Sequence, residues 1–417
     1  MTAQTEIAII GGGVIGVCAA HYLAEQGRSV TLLEAGDLCA GSSYGNAGLV
    51  AADHGIPVAA PGALSKGLKW MLDSGSPFYI KPRFNLELLR WIWLFRAACR
   101  VERMRRAIPL LLSLGQASAR QYQTLVNRHT LNCGFEHKGR LFLFKTEAGL
   151  REGLEEARLL AEFGVETRQL DAAAVRALEP AAGPAIVGGI RYEGYAHLVP
   201  DRFVRGLARV AQSNGAALKT HTNVLGFETS GGRITAVQTG GGPLQAEQVV
   251  LAAGAWSPGL ARPLGLRLPV QAAKGYSITA ERPANGPAIP LALAEGHVAV
   301  TPMDTLLRFS STLELAGLDM SINQTRVNAT RRALAEYLPG VAANLQEREV
   351  WRGLRPATPD SLPIIGRSAA VANLIIATGH GMLGITHGPI TGQLVARLVT
   401  GDPPALDLTP FSPERFA

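Results

Sequence analysis

The 417-residue chain is poor in cysteine: Cys18, Cys39, Cys99 and Cys133 show no paired spacing, and no histidine cluster accompanies them. That excludes a cysteine-based metal or dithiol redox motif, and the four read as reduced thiols of a cytoplasmic protein. Long apolar runs are also missing, since no stretch approaches the roughly 20 residues of a membrane span. The first apolar run, "IAIIGGGVIGVCAA", lacks a basic leader and reads as structure, not as a signal peptide. No nucleic-acid module accompanies the net charge of +7 and pI near 9.4, because the basic residues are dispersed. Anionic small molecules or a membrane surface remain as partners. With 47% apolar and 18% charged residues the composition is that of a globular enzyme, and the length predicts two domains.

"EIAIIGGGVIGVCAAHYLAEQGRSVTLLEAG" reads as strand, glycine turn, helix and second strand. Gly11, Gly13 and Gly16 stand at the spacing of a dinucleotide fingerprint. The first glycine makes the turn, the second lets the backbone approach a pyrophosphate, and the third lets helix and strand pack closely. Val14 and Ile15 open the helix, whose free N–H groups favour phosphate. Glu34, followed by Ala35, ends the second strand where a carboxylate accepts hydrogen bonds from a ribose, which favours NAD or FAD over NADP.

A nicotinamide enzyme would continue with regular βα alternation. Instead a glycine- and serine-rich excursion follows, then a long helical region from about Asn85 to Asn132, then strand-like "GRLFLFK", so the nucleotide domain is interrupted. A second glycine loop, "ATGHGMLGIT" at 377–386, follows the strand-like "NLIIAT". Its helix begins between Met382 and Pro389, with Gly388 and Pro389 offering an N-cap and first helical residue as one start.

The motifs "IIGGGVIG" with Glu34, "GSSYGNAGL" at 41–49, "AAPGALSKGLKWML" at 59–72, "KGYSIT" at 274–279, "WRGLRPATPDSLPIIG" at 351–366 and "TGHGMLG" at 378–384 carry a resemblance. In order and spread the chain resembles the D-amino acid oxidase-like flavoproteins, and within them the bacterial D-amino acid dehydrogenases. "SPFYIKPR" looks like the dehydrogenases that act on D-hydroxyproline. The resemblance implies an α/β protein with a discontinuous Rossmann-like FAD-binding domain, at 1–80, 197–262 and 345–417. Residues 81–196 and 263–344 would form an α+β substrate domain with a mixed or antiparallel sheet. It further implies that Ser42 and Ser43 lie beside the pyrophosphate and that Gly45, Asn46, Ala47, Gly48 and Leu49 run along the flavin ring. Val224 would meet the adenine, Ala253, Gly254 and Trp256 would close over the nucleotide, and Gly379, His380, Gly381, Met382, Leu383 and Gly384 would meet the pyrimidine edge of the flavin. Some relatives carry a flavin-linked His or Cys; here the matching position is Gly45 and no cysteine follows Cys133, so non-covalent FAD is expected.

Oxidation of an amino acid by hydride transfer from Cα to flavin N5 needs a cation for the substrate carboxylate, and a bidentate arginine fits that planar anion. Arg355 matches the carboxylate-binding position of the resembled family, with Arg352 as the fallback; a structural pairing of Arg355 with Asp360 is the competing reading. Tyr276 is expected as a second catalytic and substrate-binding group through its hydroxyl. His54, Tyr44 and His380 are expected to line the pocket. Lys274 reads as a solvated lysine, with a lysine near the flavin that promotes reaction with oxygen as the alternative. No metal ligand set is expected. The chemistry implied is oxidation of a D-amino acid, D-proline or D-hydroxyproline foremost, to an imine and then a 2-oxo acid or cyclic imine. A glycine or sarcosine oxidase-like enzyme and a non-catalytic FAD-binding electron-relay subunit are the alternatives, and the electron acceptor is a quinone or oxygen.

"LLRWIWLFRAACRVERMRR" at 88–106 forms, on one continuous helix, a basic amphipathic face with Arg96, Arg100 and Arg103 in line and Trp91, Trp93, Leu94, Phe95 and Val101 as apolar surface. It reads either as a domain helix with solvated arginines or as a peripheral contact with the inner face of a membrane.

Overall fold

The computed structural model describes residues 3–70, 78–81 and 83–416; Met71 and Leu72 of the 59–72 motif, and Ser76, Pro77 and Pro82 of "SPFYIKPR", lie outside them. Five parallel strands form the centre of the first sheet, in the order Ala217–Lys219, Val30–Leu33, Ala3–Ile10, Gly242–Leu251 and Leu374–Thr378. Ile364–Arg367 adds an antiparallel edge, and the hairpin Val224–Ser230 with Arg233–Thr239 extends from the start of Gly242–Leu251.

The central strands read as near-continuous apolar runs because both their faces are covered. Ile7, Ile9, Val30, Leu32, Val250 and Ile375 pack under the helices Val14–Glu25, Pro200–Ser213 and Gly384–Thr400. Ala8, Ile10, Leu33, Val249, Leu251 and Ile376, at the alternate positions, face a second core that includes Val224, Val237 and Leu268.

The second sheet runs in the order Glu347–Ala357, Gln271–Glu281, Leu306–Leu315, Val298–Met303, Leu291–Leu293, Arg140–Phe144, Gly188–Tyr192 and Thr167–Asp171. Its neighbours are antiparallel except Leu291–Leu293 with Arg140–Phe144, and Phe78–Ile80 joins Leu306–Leu315 in parallel. Tyr276, Ile278, Leu307 and Phe309 on one face pack against the helix Gln324–Tyr337 through Val327 and Leu334. Glu347–Ala357 and Phe78–Ile80, placed by the expected division with the first sheet, belong to the second. Conversely, Tyr122 and Leu125 of the helix Val101–His129 are built into the core of the first.

Between Ala217–Lys219 and Val224–Ser230 the chain turns at His221, where φ is +51°. The long helical region is two helices, Leu86–Ala98 and Val101–His129, interrupted at Cys99 and Arg100. Arg96 and Arg103 consequently stand on different helices, Arg100 is the N-cap of the second, and the single amphipathic face is broken. Trp91 and Phe95 are buried and stacked on each other at 5.1 Å, with the Trp91 indole N–H donating to the Ala357 carbonyl at 3.0 Å. The C-terminal helix begins at Gly384, within the expected range, so Pro389 lies inside it.

A proline there has no N–H for the Ile385 carbonyl one turn back. The Tyr122 hydroxyl, from the Val101–His129 helix, donates to that carbonyl at 2.5 Å. Tyr122→Phe should leave the carbonyl buried without a donor and destabilise the fold by about 1–3 kcal/mol, measured by denaturant unfolding.

Candidate functional site

The chain leaves its first strand at Gly11, whose φ of +113° suits glycine alone; a Cβ there would stand 2.5 Å from the Ala252 carbonyl oxygen. At Gly16 a Cβ would fall 1.9 Å from the Gly11 carbonyl oxygen, so the third glycine of the fingerprint allows the helix to seat on the strand. The helix Val14–Glu25 opens with no capping side chain and no acid in its first turn. Its Val14 N–H donates to Ser43 Oγ at 3.0 Å, which brings the serine loop against the helix start. The Glu34 carboxylate accepts the N–H groups of Gly12 at 2.6 Å and Gly36 at 2.9 Å, and each oxygen retains a further lone pair.

These groups form one part of a cavity of about 950 Å³, at the upper end of the roughly 300–1,000 Å³ usual for ligand sites. Gly11, Gly13, Val14, Ile15, Glu34, Ala35, Ser42, Ser43 and Val224 line it, as do Gly45, Asn46, Ala47, Leu49, Ala253, Gly254 and Trp256. His380, Gly381, Met382, Leu383 and Gly384 line it from the C-terminal loop. Gly16, Gly48 and Gly379 are not in the lining but pack immediately behind it; a Cβ on Gly48 or Gly379 would meet Leu198 O at 2.2 Å or Thr358 Cγ2 at 2.5 Å. The helix Gly384–Thr400 also starts without a capping side chain or a first-turn acid. Two uncapped helix N-termini thus open on one cavity, each worth up to about 1 kcal/mol per facing negative charge.

The second sheet supplies the opposite wall. Arg355 lines the cavity, and its Nη1 donates to the Thr312 carbonyl at 2.6 Å. Burial lowers its pKa to about 10, so it stays a cation at neutral pH, and no carboxylate among the described residues pairs with it. Asp360, the expected structural partner, is instead held in a two-point pair by Arg415 at 2.9 and 3.1 Å. Two local features place the guanidinium. Thr312, a β-branched residue at φ +61°, sits at a bulge opposite Lys274–Tyr276 and turns its carbonyl toward Arg355. Gly275 leaves room, since a Cβ there would lie 1.9 Å from Arg355 Nη1.

His54 and His380 also line the cavity. Burial, with Arg140 nearby, lowers His54 to about 4, and burial alone lowers His380 to about 3, so both imidazoles are neutral at pH 7. His380 Nε2 is 3.0 Å from Thr391 Oγ1.

Four expectations fail. Tyr276 borders the cavity, but its hydroxyl donates to Glu314 Oε2 at 2.9 Å and accepts the Asn323 N–H at 3.2 Å, so it is committed to a buried network and not offered to a ligand. Lys274 is not solvated: it is 1% exposed, 3.2 Å from Asp319 and 3.6 Å from Glu314, and it donates to the Ser321 carbonyl at 3.0 Å. Strand alternation explains both, because Lys274 and Tyr276 point to one face of their strand while Gly275 and the guanidinium lie on the other. Arg352, next but two to Arg355, is outside the lining and donates to the Met320 carbonyl at 2.8 Å. Tyr44 is outside it too, tilted against Trp351 at 6.3 Å.

Three residues in or behind the lining carried no readable signal. Trp351 lies over Gly45 and Gly353, where a Cβ on either would fall 1.9 Å from its ring, so both glycines serve the tryptophan. Arg308, buried between the sheets, donates to the carbonyls of Tyr44 at 2.7 Å and Asn46 at 3.1 Å and holds the loop that carries Gly45. Arg140 lines the cavity with its guanidinium 4.8 Å from the Phe142 ring and 5.6 Å from that of Tyr195. It sits in a strand that reads as ordinary β sequence, and nothing in the pattern distinguishes it from a surface arginine.

The model of the FAD dependent oxidoreductase family matches residues 6–398. The D-amino acid dehydrogenase of Methylobacterium radiotolerans is 35% identical over 419 residues, covering 99% of each chain, and that of Granulibacter bethesdensis is 32% identical over 417 residues with the same coverage. Among solved structures, glycine oxidase from Geobacillus kaustophilus superposes with a TM-score of 0.81 at 25% identity, covering 99% of each chain. L-proline dehydrogenase from P. horikoshii gives 0.76 at 20% identity, over 100% of this chain and 98% of the other. The chain belongs to the FAD-dependent oxidoreductase family and has its α/β fold.

The cavity fits that cofactor. The turn that only glycine makes at Gly11 gives close approach, and the Ser43 hydroxyl with the N–H groups of two helix starts, at Val14 and Gly384, supplies the donors that a dinucleotide with an electron-accepting ring needs. Gly275→Ala is expected to push the Arg355 guanidinium off the Thr312 carbonyl while leaving the fold and flavin content intact. KM for the amino acid substrate should rise about 10-fold with a smaller change in kcat, read from steady-state kinetics.

Proposed function

We propose that this FAD-dependent oxidoreductase is a D-amino acid dehydrogenase, with secondary amino acids such as D-proline and D-hydroxyproline as its leading substrates. The observation that carries the reading is Arg355: a cation lowered by burial only to about 10, facing the cavity with no acid partner among the described residues. A planar guanidinium so placed suits an α-carboxylate, and Thr312 and Gly275 set its direction. His54 and His380, kept neutral by burial, add no positive charge against a substrate amine at neutral pH. When bound, FAD supplies the acceptor for the hydride lost from the substrate's Cα. The names of the curated relatives and the coverage of both chains support the D-amino acid reading.

Ser42, Ser43, Gly11 and Gly13 would hold the pyrophosphate, Glu34 the ribose, and Gly381 to Gly384 the pyrimidine edge. No cysteine is among the described residues that line the cavity, and Gly45 stands where a linking histidine would be, which supports non-covalent FAD. The structural likeness to a glycine oxidase supports a second reading, a glycine or sarcosine oxidase-like enzyme.

The deciding experiment is an anaerobic titration of the purified protein with D- and L-amino acids, sarcosine and glycine while the flavin absorbance is followed. Bleaching by D-proline or D-hydroxyproline ahead of sarcosine and glycine is the expected result, with a KM raised roughly 10- to 100-fold in Arg355→Ala, the loss of one charged hydrogen-bonded contact. Acid precipitation should release the flavin. Bleaching by glycine or sarcosine alone would favour the oxidase reading, and a yellow protein bleached by none of the panel would point to an electron-relay subunit.

No described helix is long and apolar enough to cross a membrane. We propose in addition that the helix Leu86–Ala98 touches an anionic membrane surface. The face differs from that expected: Phe84, Leu86, Leu89 and Trp93 are the exposed apolar side chains, Phe84 at 91% and Trp93 at 67%, and Arg90, Arg96 and Arg100 are exposed nearby. Co-sedimentation with anionic vesicles at low salt, lost in Trp93→Glu, is expected; recovery wholly in the supernatant would exclude it.

A further inference from the structure

At the end of the helix Val14–Glu25 remote from the cavity, roughly 17 Å along its axis, lies a polar cluster with no part in the site described above. His21 and Glu25 are one turn apart on one face, and His129 is the last residue of the helix Val101–His129. The nitrogen and carboxylate oxygen atoms that the three present lie within 4.8 Å of one another. His21 Nε2 is 4.0 Å from Glu25 Oε2, too long for a hydrogen bond, and the two imidazoles meet edge-on with centroids 5.0 Å apart at 85°.

The cluster has unused valence. His21 is 0% exposed, yet neither ring nitrogen has a hydrogen-bond partner among the described residues, and the buried Nε2 of His129 has none either. Buried polar atoms are satisfied in more than about nine cases in ten, so two imidazoles that each bring an unsatisfied nitrogen close to a carboxylate call for a ligand. Burial, then His129 and Arg128, lower the His21 pKa to about 4, which leaves the neutral imidazole that a metal needs. Arg128 Nη1 lies 2.6 Å from Glu25 Oε1 and turns the other oxygen, Oε2, toward His21. Its positive charge reduces the affinity for a dication but fixes the carboxylate, as the groups that orient metal ligands do.

We propose that His21, Glu25 and His129 form a binding site for a first-row divalent cation, zinc being the best match, with solvent in the fourth position. Two imidazole nitrogens and one carboxylate oxygen are a donor set of that kind. Bonds of about 2.0–2.2 Å place tetrahedral ligand atoms roughly 3.4 Å apart, so the cluster has to contract. His129, half-buried at a helix end beside the left-handed Thr130, is the member able to move. A bound ion would tie the end of the fingerprint helix to the end of the Val101–His129 helix and stabilise that contact without touching the chemistry.

The test uses the full-length, FAD-loaded protein, treated with a chelator and dialysed, then titrated with Zn²⁺ by calorimetry at neutral pH. One saturable equivalent is expected in the wild type. Binding should weaken at least about 10-fold in His129→Ala and in Glu25→Gln, since even the loss of a group that merely orients a ligand costs that much. Saturating Zn²⁺ should raise the unfolding midpoint of the wild type and not of His129→Ala, with equal flavin content in both. Absence of saturable uptake in the wild type, or equal uptake in all three proteins, would overturn the site.

Discussion

Ala3–Ile10 and Leu374–Thr378 are the two parallel neighbours of Gly242–Leu251, and this pairing is the constraint on which the rest of the molecule depends. Parallel strands end on the same edge of a sheet, so whatever follows each of them is delivered to one place. The fingerprint turn at Gly11, the Ala252–Gly254 turn and the Gly379–Gly384 loop therefore emerge side by side although hundreds of residues of chain separate the first from the last. Two helices start there, both uncapped, and the cavity is the space they share. Close packing maintains the arrangement: a Cβ at Gly392 would fall 2.5 Å from the backbone of Cys18, so the C-terminal helix lies directly on the fingerprint helix.

The second sheet contributes the charge. Placing a guanidinium in a cavity without an acid beside it is costly, and a structure tolerates this where a ligand supplies the missing anion. Here the surroundings are shaped for the arginine: a β-branched residue is held at positive φ so that its carbonyl meets Arg355, and the strand beside it carries a glycine where any side chain would collide. Backbone strain at such a position reflects over-determination by its neighbours, which is common at ligand sites. On the other face Lys274 pairs with Glu314 and Asp319 and the Tyr276 hydroxyl donates to Glu314, so Gly275 and its two neighbours in one motif serve different purposes.

The helix Leu86–Ala98 shows what amphipathic periodicity leaves undecided. Apolar and basic residues alternate along 88–106 at a period that suits a membrane-facing helix, but Trp91 and Phe95 are the ones that turn inward. Periodicity identifies a face; it does not say whether protein or lipid covers it. The break at Cys99 and Arg100 then separates the arginines, because the second helix begins with Arg100 as its N-cap.

Local chemistry was legible in the chain alone. A glycine at φ +113°, an acid at a strand end and a glycine loop before a helix are needs of the backbone itself, and they leave marks at fixed spacings that survive without knowledge of the neighbours. Arg355 was singled out through a resemblance that its motif shares with five others along nearly the whole chain. Which face of a strand a residue occupies, and what it meets across a sheet, is set by pairing between segments far apart, and a sequence does not record it. Tyr276 and Lys274 were misplaced for that reason, Arg140 and Trp351 were invisible, and Asp360 turned out to belong to Arg415 from the last residues of the chain. Tertiary structure alone decided those contacts: the first four depend on the register and order of strands in a sheet drawn from residues 78 to 357, and the last on where the chain's final turn packs.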